Sequence, residues 1–243
     1  MKTTFFALLL ILLLTVSCQV TETVHINADG SGKIQTISLR DEQSYMQLVG
    51  DNYAIEEKFV DTTYSFNDYL KKYWENFSRL PSTEKEVYNK FKEVNVHIKK
   101  SSFDKEFRTT IWQHFKKVAE IADLQKTENY ADNLKHNYAL SAEEHYYAVR
   151  YTFDGTIFKR IVDITDPIEL KKQQEIISER KREFSSFKIM QSYVLNYHFP
   201  RKIKSISNPN AKINEDRKSF TLQFLLTDCL QNPEITVFDV VLE

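Results

Sequence analysis

Residues Phe5 to Val16 form one uncharged, mainly apolar run, with Lys2 ahead of it and Ser17-Cys18 directly behind it. Twelve residues as a helix reach about 18 Å, while the hydrocarbon core of a bilayer is about 30 Å thick. The run is too short to span, and it suits the apolar region of an export leader. No later apolar run reaches spanning length.

The segment Leu14-Thr15-Val16-Ser17-Cys18 resembles a lipobox, the cleavage motif of bacterial lipoproteins. The family usually carries leucine three residues before the cysteine; here that position is Thr15, and Leu14 lies one residue further out. The resemblance implies cleavage before Cys18 and a diacylglyceryl group on its thiol. Two acyl chains give a stable anchor where one gives marginal, reversible binding. Residue Gln19 is not aspartate. By resemblance to Gram-negative sorting rules, this favours the outer over the inner membrane of the cell envelope. The expected organisation is a leader at residues 1–17, a lipidated amino terminus and short tether at 18–22, and one domain at 23–243.

Without residues 1–17, the 33 Lys and Arg of the chain fall to 32 against 34 Asp and Glu, a formal charge of −2. This balance offers no field for nucleic acid and no polybasic membrane patch. Aromatic residues make up 13% of the chain, which argues for a packed core rather than disorder. Only four glycines occur, so Gly-rich nucleotide loops are not expected. With Cys18 carrying lipid, Cys229 has no partner for a disulfide. The surroundings Leu226-Thr227-Asp228-Cys229-Leu230 favour a small buried residue over a reactive thiol.

Alternation and turn residues give the architecture. Val24, Ile26 and Ala28 alternate up to Asp29-Gly30-Ser31-Gly32, and Ile37 and Leu39 alternate on the return, which predicts a hairpin. Ile34 is out of phase with Ile37 and Leu39 and suggests a bulge. A helical insertion is expected at about 41–92. It would hold a short helix at 41–49, a helix over 67–79 and another opened by a Thr83/Glu86 capping box. Strands are expected over 94–98 and 107–115, and a helix within 116–134. Asp154-Gly155 predicts a type I′ hairpin in which Tyr151 faces Phe158. Asp166-Pro167-Ile168-Glu169 opens a helix to about Phe187, with cap, proline and acid each in a favoured place. The last fifty residues read as strands. Strands at both ends with helices between them predict an α+β fold, with a mostly antiparallel sheet built from hairpins.

Two of these segments together resemble the LppM-like class of small bacterial envelope lipoproteins. One is the opening Val24-His25-Ile26-Asn27-Ala28-Asp29-Gly30-Ser31-Gly32. The other is the tail Tyr197-His198-Phe199-Pro200-Arg201-Lys202-Ile203 with Lys218-Ser219-Phe220-Thr221-Leu222. The resemblance implies architecture and an envelope location, and it carries no activity to any residue.

The chemistry-bearing residues form few patterns. The six histidines make no His-x-x-x-His or His-Glu-x-x-His pair. Glu143-Glu144-His145 is the densest group of metal-ligand types, and a solvated strand entry is the expected reading. His97 and His114 would face each other if their strands paired in register. Tyr69, Tyr73, Trp74 and Phe77 lie near one helical stripe, expected to pack on the sheet. Arg201-Lys202-x-Lys204 is expected at a solvated strand edge. No nucleophile elbow, phosphate loop or dinucleotide fingerprint occurs.

The expectation is therefore a non-catalytic envelope lipoprotein held by Cys18, with no metal and no cofactor. It would serve as a binding or assembly module for an envelope protein. A carrier or sensor for a hydrophobic or carbohydrate ligand is the alternative, and a hydrolase comes after both.

Overall fold

Alternation at the start of the chain becomes a regular hairpin. In the computed structural model, which describes residues 19–42, 45, 46, 50, 59–138, 145–183 and 191–243, β1 (Gln19–Ile26) pairs antiparallel with β2 (Gly32–Leu39). Residue Cys18 and the expected leader lie outside the described residues, as do Glu143 and Glu144.

The fold is α+β. Among the described residues, β1 and β2 belong to an eight-stranded sheet together with β3 (Phe59–Ser65), β4 (Val94–Ser101), β5 (Glu106–Phe115), β8 (Ser192–His198), β10 (Lys212–Ile213) and β11 (Ser219–Leu225). Its order is β10-β11-β8-β1-β2-β5-β4-β3, so the two ends of the chain meet where β1 runs parallel to β8. The other ladders of this sheet are antiparallel. A second sheet has β6 (Tyr147–Phe153), β7 (Ile157–Ile164), β12 (Phe238–Leu242) and β9 (Ile203–Ile206) in the order β6-β7-β12-β9, all antiparallel.

The two sheets meet through aromatic side chains. Tyr197 and Phe220 of the first sheet approach Phe238 of the second edge-on, with ring centroids 5.0 and 5.1 Å apart. Phe158 lies 5.6 Å from Tyr197. Rings at such separations add to the burial of large apolar surface. At the β3–β4 end, three short helices cover the first sheet: α1 (Phe66–Lys72), α2 (Trp74–Arg79) and α3 (Ser82–Asn89). They pack with α4 (Thr127–His136) through Phe66, Tyr88, Phe91 and Tyr130. The long α5 (Pro167–Glu183) lies against the short α6 (Leu226–Gln231).

Several local expectations need correction. The β1–β2 ladder has no bulge: Ile34 and Thr36 face the core, while Ile37 is partly exposed and Leu39 exposed on the other face. Val24 stands opposite Ile34, so the ladder follows the phase of Val24 and Ile26 instead of that of Ile37 and Leu39. The second hairpin turns one residue late. Gly155 and Thr156 are the central pair, with Gly155 at φ +93°, as a type II′ turn requires at its first central position. Asp154 Oδ1 accepts the amides of Thr156 and Ile157 at 2.8 and 2.7 Å, which fixes this arrangement. Tyr151 consequently faces Arg160 and not Phe158.

The 41–92 interval also contains a strand. β3 is rich in β-branched residues, Val60, Thr62 and Thr63, and it forms an edge of the large sheet. The stretch 67–79 is two helices meeting at Tyr73, whose backbone leaves helical geometry at φ −109°, ψ 34°. The Thr83 cap does not form, because α3 starts two residues earlier, with Pro81 at the cap position and Thr83 already inside the helix. Residues 116–134 begin with two single 3₁₀ turns before α4. Between the two turns, Gln113 Oε1 accepts the Ala122 amide at 2.9 Å and ties the chain to β5. Asp166 caps α5 as expected, accepting the amides of Ile168 and Glu169 at 3.0 and 2.9 Å.

Candidate binding groove and the buried charge cluster beside it

The inward side of β1 carries Val20, Glu22, Val24 and Ile26 in strict alternation. Glu22 is thus aimed into the interface between the sheets, where it is 4% exposed. Burying a carboxylate costs several kcal/mol, on the order of what its partners must return. Three tyrosines supply them. Tyr193 Oη donates to Glu22 Oε2 at 2.8 Å, and Tyr197 and Tyr151 donate to Oε1 at 2.5 and 3.4 Å. Burial, reinforced by the negative charge of Glu22, pushes all three phenols far above their ordinary range, so they remain donors.

Arg160 of β7 supplies the countercharge, with Nε 3.9 Å from Glu22 Oε1. Its Nη1 donates to the carbonyl of Thr236 at 3.2 Å and to the Thr236 hydroxyl. Burial alone would lower its pKa, but the surrounding phenols and Glu22 outweigh burial and hold it charged. Asp123, buried nearby, has its carboxyl pushed up by desolvation, with Lys126 at 3.9 Å opposing the shift. Asp123, Arg160, Tyr193, Cys229 and Thr236 border a void of about 10 Å³. That is room for about one water and not for a substrate. The cluster ties β1 and β8 of one sheet to β6 and β7 of the other; its three phenols are spent on Glu22, while Arg160 Nε is held by charge alone and has no hydrogen-bond partner among the described residues.

The open site is two residues away on the same strand. Val20 lines a groove of about 140 Å³ with Thr36, Ser38, Thr109, Ile111 and Leu226. Here the inner face of β1, β2 and β5 runs out from under the second sheet. The groove has a hydroxyl side and an apolar side. Thr36 Oγ1 is buried without a hydrogen-bond partner, and Thr109 Oγ1 reaches Glu128 Oε1 at 3.5 Å. Toward the end of the sheet the space widens to about 340 Å³ between Arg40, Lys100, Phe107, Arg108 and Gln191. The Arg40 guanidinium is stacked between Tyr45 and Phe107, 3.6 and 3.7 Å from their ring centres, and pairs with Glu42. Stacking and pairing together fix its plane at the mouth.

The other residues singled out by sequence are dispersed. Cys229 sits in α6, 7% exposed, and burial pushes its thiol up to about 12, so at neutral pH it is a thiol and not a nucleophile. His97 lies opposite Thr110 and Thr63, with Nε2 2.9 Å from Asp61, while His114 lies opposite Lys33. The two histidines do not face each other, because the register sets them four rungs apart. His145 meets Tyr130, whose hydroxyl is 3.1 Å from Nδ1, and burial pushes the imidazole down to about 4. Phe77 is buried, Tyr69 and Tyr73 are half-buried, and Trp74 is 60% exposed, so the aromatic stripe is only partly core. Arg201 donates to the carbonyl of Glu243 at 2.7 Å and to that of Gly155, beside the edge strand β9.

Sequence reasoning missed Glu22 and Arg160. The signal was present, since Glu22 stands in phase with Val24 and Ile26, and Arg160 in phase with Phe158 and Val162. A charge inside an apolar stripe marks a buried pair as readily as an edge. Among the described residues, no group of three or more His, Cys, Asp or Glu could hold a metal ion, and no helix is long and apolar enough to cross a membrane.

No family model and no curated protein matches this chain. Among solved structures, the NMR structure of the LppM folded domain of Mycobacterium tuberculosis is similar over 95% of this chain and 94% of that chain. The identity is 9% and the TM-score 0.37. A likeness of that size identifies neither a family nor an activity.

Proposed function

We propose that this protein is a non-catalytic lipoprotein of the cell envelope, anchored through acyl chains on Cys18, which binds or helps assemble an envelope component. One observation carries the reading: an apolar run too short to span ends in Ser17-Cys18, and β1 begins at the very next residue, Gln19. In this reading the tether has almost no length, and the domain stands against the membrane surface. Two acyl chains supply the affinity. The most polar buried cluster is closed off from solvent, with its three phenols spent on Glu22, and the accessible surface beside it is a groove rather than a set of converging acids and bases. Both features favour binding over turnover. The absence of aspartate at position 19 favours the outer membrane.

Replacing Cys18 with serine is expected to release the protein from the membrane fraction and to leave an uncut leader. Mass spectrometry of the protein from its host should find a diacylglyceryl cysteine as the first residue. An unmodified thiol there would refute the anchor.

A second reading, a carrier for a small carbohydrate or amphipathic ligand, is favoured by the groove's hydroxyls, Thr36, Ser38 and Thr109, set beside Val20 and Leu226. In that reading Ser38→Trp would fill the groove and abolish ligand co-purification seen by native mass spectrometry, with the fold unchanged. Co-purification surviving the tryptophan would count against a carrier.

A further inference from the structure

The large sheet has one end at which β1 starts, β2 stops and the β4–β5 hairpin turns. Gln19 lies level with Leu39, Leu39 with Arg108, and Arg108 with Lys99. Beyond that row the hairpin continues for two more rungs, Lys100 with Phe107 and Ser101 with Glu106, before turning. At about 3.4 Å per residue the turn overshoots the Gln19 row by roughly 7 Å. Phe103, at its tip, is 94% exposed. Phe59, opposite Ser101 on the neighbouring strand, is 72% exposed. Leu39 and Leu225 are exposed at the same end.

Two solvated phenylalanines at the leading edge of a sheet are costly in water, and their placement is specific: the chain enters the domain through this same rim. We propose that the rim is a second membrane contact, with Phe59 and Phe103 entering the interfacial layer of the bilayer beside the acyl chains on Cys18. The inference rests on the lipid-anchored reading and adds an orientation to it. A lipid at Gln19 and a wedge on β3 and the β4–β5 turn are separated laterally by two to four strands, roughly 10–20 Å at about 4.8 Å per strand. Two contacts at that separation stop the domain from pivoting on its anchor. Lys100 and Lys105, exposed beside the wedge, face the headgroups. The mouth of the groove opens at this rim, so in this orientation it is presented to the lipid surface.

The test uses processed protein from its host, carrying Cys229→Ala and a nitroxide on Phe103→Cys, on vesicles of phosphatidylethanolamine and phosphatidylglycerol. Ile168→Cys, at a position 84% exposed at the start of α5, is the control. At position 103 the label is expected to become accessible to oxygen and protected from a water-soluble nickel complex, while at 168 it stays accessible to nickel. The same sample is weighed by mass spectrometry. A lipidated Cys18 with position 103 still in water overturns the rim and leaves the anchor standing. An unmodified Cys18 with position 103 in lipid overturns the anchor and leaves the rim standing. Phe59→Ser with Phe103→Ser is expected to lower the vesicle affinity of protein lacking acyl chains by about tenfold or more, and unchanged affinity would count against the rim.

Discussion

Val20 and Glu22 are neighbours on one face of one strand, yet they live in different solvents. Glu22 lies under the second sheet, with three phenols and a guanidinium around its carboxylate. Val20 lies just past the shelter of that sheet and lines an open groove. The same ladder therefore changes from structural interior to accessible surface within one pleat, about 7 Å. Coverage, not strand geometry, makes the difference: residues of the same phase become core or site according to what lies across from them. The covered part pays for its charges by pairing them with one another and with phenols, and the uncovered part turns hydroxyls toward an open space.

The strongest way to break this contrast is to empty the covered side. Glu22→Ala leaves Arg160 buried opposite three phenols, and unfolding free energy should fall by about 3–5 kcal/mol in urea titration. A loss under about 1 kcal/mol would mean that the cluster is hydrated and the contrast false. Next comes Gly32→Ala in the same hairpin. A Cβ there would overlap the His25 carbonyl and the Phe115 ring, and about 2–3 kcal/mol of stability should go.

A pH titration sharpens the comparison at smaller scale. His145 is held down to about 4 by burial, against an ordinary value of 6.5. The unfolded chain then binds its proton more tightly than the folded one. Stability is complete above pH 6.5 and falls as pH drops toward 4, by about 1–2 kcal/mol after allowance for partial solvation. Replacing His145 with glutamine should flatten that part of the curve, and an unchanged slope would place the proton uptake elsewhere.

The uncovered side should respond least. Ser38→Ala and Arg108→Ala should each shift stability by about 0.5 kcal/mol or less, while any ligand co-purifying with the protein should be reduced. A large stability loss at either position would make the groove part of the core. Cys229→Ala should cost about 1 kcal/mol or less, and iodoacetamide should reach the native thiol only upon unfolding.

Sequence alternation specified most strands, because one buried face imposes a period of two that survives in any context. The Asp166 cap and the first hairpin were legible for the same reason: a few adjacent residues settle them. The second hairpin was misregistered because Asp154-Gly155 suits two turns, and the aspartate side chain chose between them by accepting two amides. β3 was hidden because an edge strand exposed along most of its length shows little apolar alternation.

By itself, then, the sequence determined an α+β chain with strands at both ends, and it carried the leader-like run ahead of Cys18. Only the tertiary structure decided that β1 would lie parallel to β8, and that Glu22, Arg160 and three tyrosines from distant strands would share one buried volume. It alone set the groove and the exposed phenylalanines at the rim where the chain enters. Local pattern fixes which way a side chain points, because backbone geometry is local. What a side chain meets is set by contacts between segments more than a hundred residues apart, and no short window of sequence contains them.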